Sequence, residues 1–295
     1  MGTCPWSGCG CPSSSAVATV QDSNDADIEM QLLIDAIYLK YHYDFRRYAP
    51  ASLKRRLAAA LTRFKCHSFS QLQDKVLHDP GIFPALLDLL TVPVSEMFRD
   101  PGYFRSLRET VIPILRTYPS LKVWVAGCST GEEVYSLAIL LREEGLLSRS
   151  LIYATDINPH TLQKASAGVY DVERIAGFTE AHRKSGGNSS LSDYYTAAYG
   201  RAVFDKSLKE HIVFSDHSLA TDSVFAEVQL ISCRNVLIYF NRDLQDRAVG
   251  LFRDSLCRKG FLGIGSKESL RFCVHSHSFS DLVPEERIYQ KRDLS

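Results

Sequence analysis

Between residues 27 and 90 apolar positions recur three and four apart. Ile28, Leu32, Ile34 and Ile37, with Met30 and Leu33 beside them, predict an amphipathic helix running to about Lys40. The aromatic stretch 41–50 ends in a proline break. Ser52 is then placed to cap a second helix with Leu53, Leu57, Ala60, Leu61 and Phe64 on one face. Ser68 and Gln71 have the spacing of a capping box for a third helix through Leu77, and residues 81–90 make a fourth. Residues 27–90 therefore read as a small all-helical domain. Pro93 and Pro101 break any continuous helix beyond it, so 91–120 reads as a linker and the first helix of a second domain.

From Leu121 the pattern alternates between strand and helix. Residues 121–126 predict a buried strand, a Gly/Ser/Thr turn comes next, and Tyr135, Ala138, Ile139 and Leu141 predict a helix ending near Gly145. Strand 151–155 leads to a helix opened by Asn158-Pro159 and closed at Gly168. Residues 169–210 break the alternation with short strand signals at Tyr194-Tyr195, Tyr199 and Val203-Phe204 and a loop at 186–190, and read as an inserted subdomain. Strands at 211–214, 228–231 and 261–264 resume the sheet. Asn241 opens a helix over 242–257, with Gly260 after its end. Residues 279–283 and 287–291, joined by Pro-Glu-Glu, close the chain as an antiparallel hairpin. The expected fold is α/β, a doubly wound seven-stranded sheet with a closing hairpin over residues 121–295, preceded by the helical domain. The Gly/Pro/Ser-rich residues 1–26 read as a disordered tail.

Composition narrows the function. The 295 residues carry 34 Lys+Arg and 34 Asp+Glu, so no global basic field points to nucleic acid. No apolar run approaches the ~20 residues that span a bilayer, and no secretory leader pattern opens the chain. A soluble, cytoplasmic, monomeric protein is the expectation. Of eight cysteines, Cys4, Cys9 and Cys11 cluster in the tail without a CxxC pair, and the others are scattered as reduced cysteines are. Cys273-Val-His-Ser-His277 reads as loop, and no metal site is expected.

The turn at 127–131 carries the chemistry. Gly127 and Gly131 let the backbone turn sharply, but G-x-x-x-G leading into Glu132 and Glu133 would repel a pyrophosphate. A ligand with a ribose and a cationic group fits better, and S-adenosylmethionine is such a ligand. A purely structural turn with acids at the helix N-terminus would read the same way. Asp156 stands at the end of the second strand, about 25 residues past the turn, where doubly wound sheets place an acid that accepts from ribose hydroxyls. Lys54, Arg55 and Arg56 form a basic stretch on the second helix that could dock an acidic partner, or simply face solvent.

Taken together, the motifs Met-Phe-Arg-Asp-Pro (97–101), Gly-Cys-Ser-Thr-Gly-Glu-Glu-x-Tyr-Ser (127–136), Ala-Thr-Asp-Ile (154–157) and Cys-Arg-Asn-Val-Leu-Ile-Tyr-Phe (233–240) resemble the chemotaxis-receptor methyltransferases of CheR type. So does the helical front domain with its Tyr-x-Tyr-Asp-Phe and basic helix, and the resemblance spans roughly residues 28–292. It implies a class I methyltransferase fold, S-adenosylmethionine as cofactor, and glutamate side chains of chemoreceptor cytoplasmic domains as substrate. It also implies roles for residues. Arg99 would hold the cofactor's carboxylate, Glu133 its amino group and Asp156 its ribose, while Arg234 and Asn235 line the site. Ser95, Ala126, Gly127, Gly131, Ile157, Ser218 and Leu219 would complete the pocket. Arg99 and Tyr239 would serve the transfer itself, with Tyr239 beside the methyl, and Lys54, Arg55 and Arg56 would meet the receptor. The inserted subdomain resembles the family's receptor-contacting β-subdomain. Pro93, Ser95, Val134, Ser218 and Gln229 depart from the family pattern. Two other functions share this fold: a cofactor-sensing or non-enzymatic signalling module, and a methyltransferase for RNA or small molecules, with neutral charge counting against RNA.

Overall fold

The computed structural model describes residues 15–293, with side chains from Asp25 onward; Cys4, Cys9 and Cys11 lie outside the described residues. Helix α1 runs Ser15–Tyr41, beginning well before the expected Asp27. After Pro12 no glycine or proline interrupts the chain until the helix is established, so a polar run that lacks hydrophobic periodicity still continues it. Helix α2, Pro50–Arg63, starts with Pro50 in its first turn and no side-chain cap from Ala49. Ser52, the expected cap, lies inside the first turn and its Oγ accepts from Arg56 instead. Helix α3, Phe69–His78, is capped as expected, Ser68 Oγ accepting from the Gln71 amide at 3.2 Å. Helix α4 is Ile82–Thr91. Leu33, Ile37, Leu57, Leu72, Val76, Leu86 and their neighbours close this four-helix domain around its own core.

The linker leads into α5, Pro101–Ser106, a wider π turn at Leu107–Val111, and α6, Ile112–Leu115. Pro113 has no N–H to give to an α-helical bond, and the π turn absorbs the mismatch. The sheet begins with β1 (Leu121–Ala126), α7 (Glu132–Glu143), β2 (Ser150–Asp156) and α8 (Pro159–Ala167). The insertion holds β3 (Val169–Asp171), α9 (Val172–Lys184), β4 (Tyr195–Ala198), β5 (Arg201–Phe204) and α10 (Lys206–Lys209). Its strands form a separate three-stranded sheet, and α9 is an addition to the expected short strands. The main sheet resumes with β6 (Ile212–Asp216), β7 (Val228–Cys233), α11 (Arg242–Ser255), β8 (Leu256–Ile264), β9 (Phe279–Val283) and β10 (Ile288–Lys291). Helix α11 ends two residues before the expected 257 because Leu256 already pairs with Val228. Gly260 therefore sits inside the irregular start of β8 rather than capping the helix.

The seven-stranded order is β6-β2-β1-β7-β8-β10-β9, with β6 to β8 parallel across the centre and the β9–β10 hairpin antiparallel. This is the expected doubly wound sheet. Chain order reverses between β1 and β7, and there the carboxyl ends of the strands open a crevice.

A buried ionic cluster ties the insertion to the sheet. Glu143, at the end of α7, accepts from His182 Nε2 at 2.9 Å and Ser189 Oγ at 2.8 Å and is paired with Arg108. Burial alone would raise its pKa, but these bonds and the Arg108 charge outweigh it and hold the carboxyl at about 2. A lowered pKa stabilises the folded chain above the ordinary value of about 4.5, and that contribution disappears as pH falls through about 2. Thermal melts of wild type and Glu143→Gln are expected to differ most above pH 4.5 and to converge towards pH 2. A constant gap across that window would show that the carboxylate charge is not what stabilises the cluster.

Candidate functional site

At the crevice lies a cavity of about 380 Å³, walled below by the ends of β1, β2, β6 and β7 and above by Tyr48, Leu90, Thr91 and Val92 of the helical domain. The two domains are latched across it. The Ala49 amide donates to the Tyr239 carbonyl at 2.8 Å, and Asn158 Nδ2 donates to Asp88 and Thr91 at 2.9 and 3.0 Å. The strap between them is wound unusually: Val92, Phe98 and Asp100 have φ of 44°, 52° and 55°, a conformation β-branched and aromatic residues rarely adopt. Such backbone persists only where surrounding contacts over-determine it.

The turn after β1 is held by β2. The amides of Gly127 and Cys128 both donate to the Thr155 carbonyl at 2.8 Å, and the Ser129 amide donates to Asp156 Oδ2 at 2.8 Å. Asn158 donates its amide to Asp156 Oδ1 at 3.0 Å. Asp156 thus joins turn and strand while lining the cavity. Burial pushes its pKa up, and the backbone hydrogen bonds oppose that push. Gly127 is left-handed at φ 75°. Gly131, at φ 93°, leaves no room for a Cβ, which would lie 2.9 Å from the Ala165 Cβ.

The two glutamates of the turn part company. Glu132 is fully buried, bonded by Thr130 Oγ1 at 2.6 Å and paired with Arg174 at 2.8 Å, so it braces the insertion. Glu133 faces the cavity. Ser232 Oγ donates to it at 2.6 Å and Arg234 Nη1 at 3.2 Å. Arg234 spends its other arm on the Arg99 carbonyl at 2.8 Å and Asp100 Oδ2 at 2.7 Å, and lies 4.3 Å over the Tyr103 ring. Though it lines the cavity, its hydrogen-bonding arms are committed to Glu133 and the strap. Arg99 differs: it lines the cavity, and its guanidinium has no hydrogen bond or ion pair among the described residues.

The remaining positions divide. Ser95, Ile157, Ser218, Leu219, Asn235 and Tyr239 all line the cavity. Ala126 and Gly131 do not: Ala126 is buried at the end of β1, and Gly131 packs on α8. Lys54 and Arg55 are exposed on α2, Lys54 paired with Asp27 at 2.6 Å. Arg56 is not part of that outer basic face. It is buried, bonded to the Leu90 carbonyl and stacked 4.2 Å from the Tyr239 ring. Of the departures from the family pattern, Val134 is core and Gln229 accepts from the Lys122 amide at 2.7 Å, away from the cavity.

Sequence reasoning missed Glu268, which sits in the turn after β8. Its carboxylate accepts from the amides of Gly265, Asn235 and Ile238 at 2.6, 3.1 and 3.2 Å and so clamps the loop bearing Asn235 and Tyr239. Asn235 needs that clamp, because its φ is 62°. An acid just past a strand end, in Gly-Ser-Lys-Glu, was a readable signal of the same kind as Asp156. Hydrogen bonds to a charged group contribute about 1.5–3 kcal/mol. Glu268→Gln turns an amide donor towards these donors, so hydrogen exchange at Asn235 and Ile238 should speed up by tenfold or more. Unchanged exchange would mean the loop is held by other contacts.

This arrangement suits a zwitterion attached to a ribose. A free guanidinium, a carboxylate on the first turn of a helix and a second carboxylate at a strand end lie along one cavity with apolar Ile157 and Leu219 beyond them. Comparison with known proteins agrees. Residues 93–283 match the CheR methyltransferase SAM-binding domain, and residues 28–91 match the CheR methyltransferase all-alpha domain. A provisionally named methyltransferase, Cher3, of Pseudomonas putida is 61% identical over 90% of this chain and 98% of its own length. The chemotaxis protein methyltransferase of Listeria innocua is 32% identical over 77% of this chain and 84% of its own. Among solved structures, the N-methyltransferase NodS of Bradyrhizobium japonicum with S-adenosyl-l-homocysteine aligns at a TM-score of 0.39 and 12% identity, over 68% of this chain and 89% of that one.

Proposed function

Because the chain belongs to the CheR family of S-adenosylmethionine-dependent methyltransferases, we propose that it methylates glutamate carboxylates on the cytoplasmic domain of a chemoreceptor, forming glutamate methyl esters and S-adenosylhomocysteine. The observation that carries this reading is the cavity wall: Arg99 as a cation unpaired among the described residues, Glu133 and Asp156 as carboxylates, and Tyr239 on the same cavity. Among the described residues on that wall, Cys128 is buried with its thiol pKa pushed well up by burial, and His217 gives Nε2 to the Ser223 carbonyl and keeps Nδ1 without a partner. A glutamate acceptor, ionised above a pKa of ~4.3, needs no base.

In this reading Arg99 pairs with the cofactor's carboxylate, Glu133 with its ammonium and Asp156 with its ribose hydroxyls. The cofactor supplies a methyl group on a sulfonium, a leaving group that needs no acid. The protein's work is alignment, and well-oriented pairs of reactants gain roughly 7–11 kcal/mol. Tyr239, fixed through its carbonyl to Ala49 and through its ring to Arg56, walls the place where the acceptor carboxylate would lie. Exposed Arg55 and Lys54 would meet an acidic receptor surface; the Lys54–Asp27 pair is of the exposed kind, worth ~0–1 kcal/mol, and can exchange partners. The described residues contain no helix long and apolar enough to cross a membrane, and in this reading a single chain acts at the cytoplasmic face, where the receptor's cytoplasmic domain lies.

With labelled cofactor and a receptor cytoplasmic fragment, transferred label is expected to be released as methanol by mild base. Base-stable label, or none, would sink the ester chemistry.

A further inference from the structure

Arg56 stands out among the buried cations. It is 7% exposed, on the inner face of α2 with Leu53, Leu57 and Ala60, and no carboxylate lies within ion-pair distance among the described residues. Its Nη1 donates to the Leu90 carbonyl in the last turn of α4, and its Nη2 donates to Ser52 Oγ at 3.1 Å. Its Nε has no hydrogen-bond partner. The other buried arginine among the described residues, Arg234, lines the crevice and is neutralised by Glu133 and Asp100. The C-terminal end of α4 offers Arg56 only a partial negative charge. A buried cation without a counter-ion is expensive, and an anion placed near it would offset that cost. Its guanidinium stacks 4.2 Å from the ring of Tyr239, which lines the cavity as Arg56 itself does not.

We propose that Arg56 is an electrostatic positioning residue, an uncompensated positive charge held behind Tyr239 that draws an anionic methyl acceptor to that wall of the cavity. This rests on the glutamate reading above and deepens it. A cation stacked on a phenol ring polarises the ring, so its hydroxyl becomes a better hydrogen-bond donor to a carboxylate. Tyr239 Oη makes no hydrogen bond to a described residue and is available for that contact. Arg56 touches neither acceptor nor cofactor, and its effect passes through Tyr239. The role assigned by sequence to three outward basic residues thus divides. Arg55 and Lys54 face a partner's surface, and Arg56 acts from inside, through Tyr239, on the carboxylate that receives the methyl.

The test compares wild type, Arg56→Lys and Arg56→Gln in methyl transfer to a glutamate-bearing receptor fragment, with S-adenosylhomocysteine affinity measured by calorimetry on the same preparations. Arg56→Gln is expected to raise KM for the fragment by tenfold or more while cofactor affinity stays within twofold, and Arg56→Lys, which keeps the charge, is expected to recover most of that loss. If both variants lose activity equally, or if Arg56→Gln lowers melting temperature and cofactor affinity with KM unchanged, Arg56 is a structural tether between α2 and α4 and the proposal falls. A wild-type chain that binds S-adenosylhomocysteine but methylates no glutamate overturns the proposed function itself, and this role with it. A wild type that methylates the fragment beside an unaffected Arg56→Gln overturns this role alone.

Discussion

Asp156→Ala is expected to weaken S-adenosylhomocysteine binding by roughly 10²–10⁴-fold. The carboxylate would accept from two ribose hydroxyls, and each hydrogen bond to a charged group contributes about 1.5–3 kcal/mol. Removing it also frees the Ser129 and Asn158 amides that Asp156 now ties down, which loosens the turn between β1 and α7. Asp156→Asn retains the shape but turns an amide towards one of those donors, so it should restore little. Calorimetry reads the affinity, and an affinity within threefold of wild type would show that the ribose is held elsewhere. Acidification should tell the same story. Burial raises the Asp156 pKa, so protonation of this group should begin to weaken cofactor binding before ordinary aspartates titrate.

The second large effect is on stability. Arg234→Met is expected to cost roughly 3–5 kcal/mol in urea unfolding, the size seen when one partner of a buried ion pair is removed. Most of this should come from Glu133, whose side chain is 13% exposed, and less from Asp100, which at 37% exposure is already partly hydrated. The double variant Arg234→Met with Glu133→Gln removes the orphaned charge as well. It should regain a large part of the lost stability while leaving cofactor binding impaired, because the group proposed to meet the ammonium is gone. Additive losses in the double variant would show that the two side chains are not energetically coupled.

The sheet was readable because its central strands β1, β7 and β8 are largely buried on both faces and its helices carry apolar stripes on one, so each element is written into a short window of sequence. Glycines and caps marked many boundaries: Gly145, Gly168 and Asn241 fall where the chain turns. Boundaries failed where pairing or propensity overrode local signals. Ser15–Asp27 is helical without periodicity, and Leu256 is taken into β8 by Val228 although the helix pattern runs on to Cys257. Helix α9 was missed because its host segment mixes helical and strand residues at short range.

For the site, spacing pointed to the turn with Glu133 and to Asp156, the family resemblance added Arg99 and Tyr239, and all four line one cavity because each lies near a strand end or on the strap, positions that topology brings together. Spacing did not say which charges would be used up. Arg99 and Arg234 look equivalent in sequence, yet Arg234 is consumed by Glu133 and Asp100 while Arg99 stays free among the described residues, a distinction made by groups over 100 residues apart. Glu268 and Arg56 gained their roles the same way, by packing against a loop distant in sequence. What the chain by itself determined was the order of elements, the cofactor turn and the family, since these depend on local periodicity and on motifs. Only the tertiary structure decided which buried charge is neutralised and which is left facing Tyr239, because neutralisation depends on distances of a few ångströms between residues that no local pattern relates.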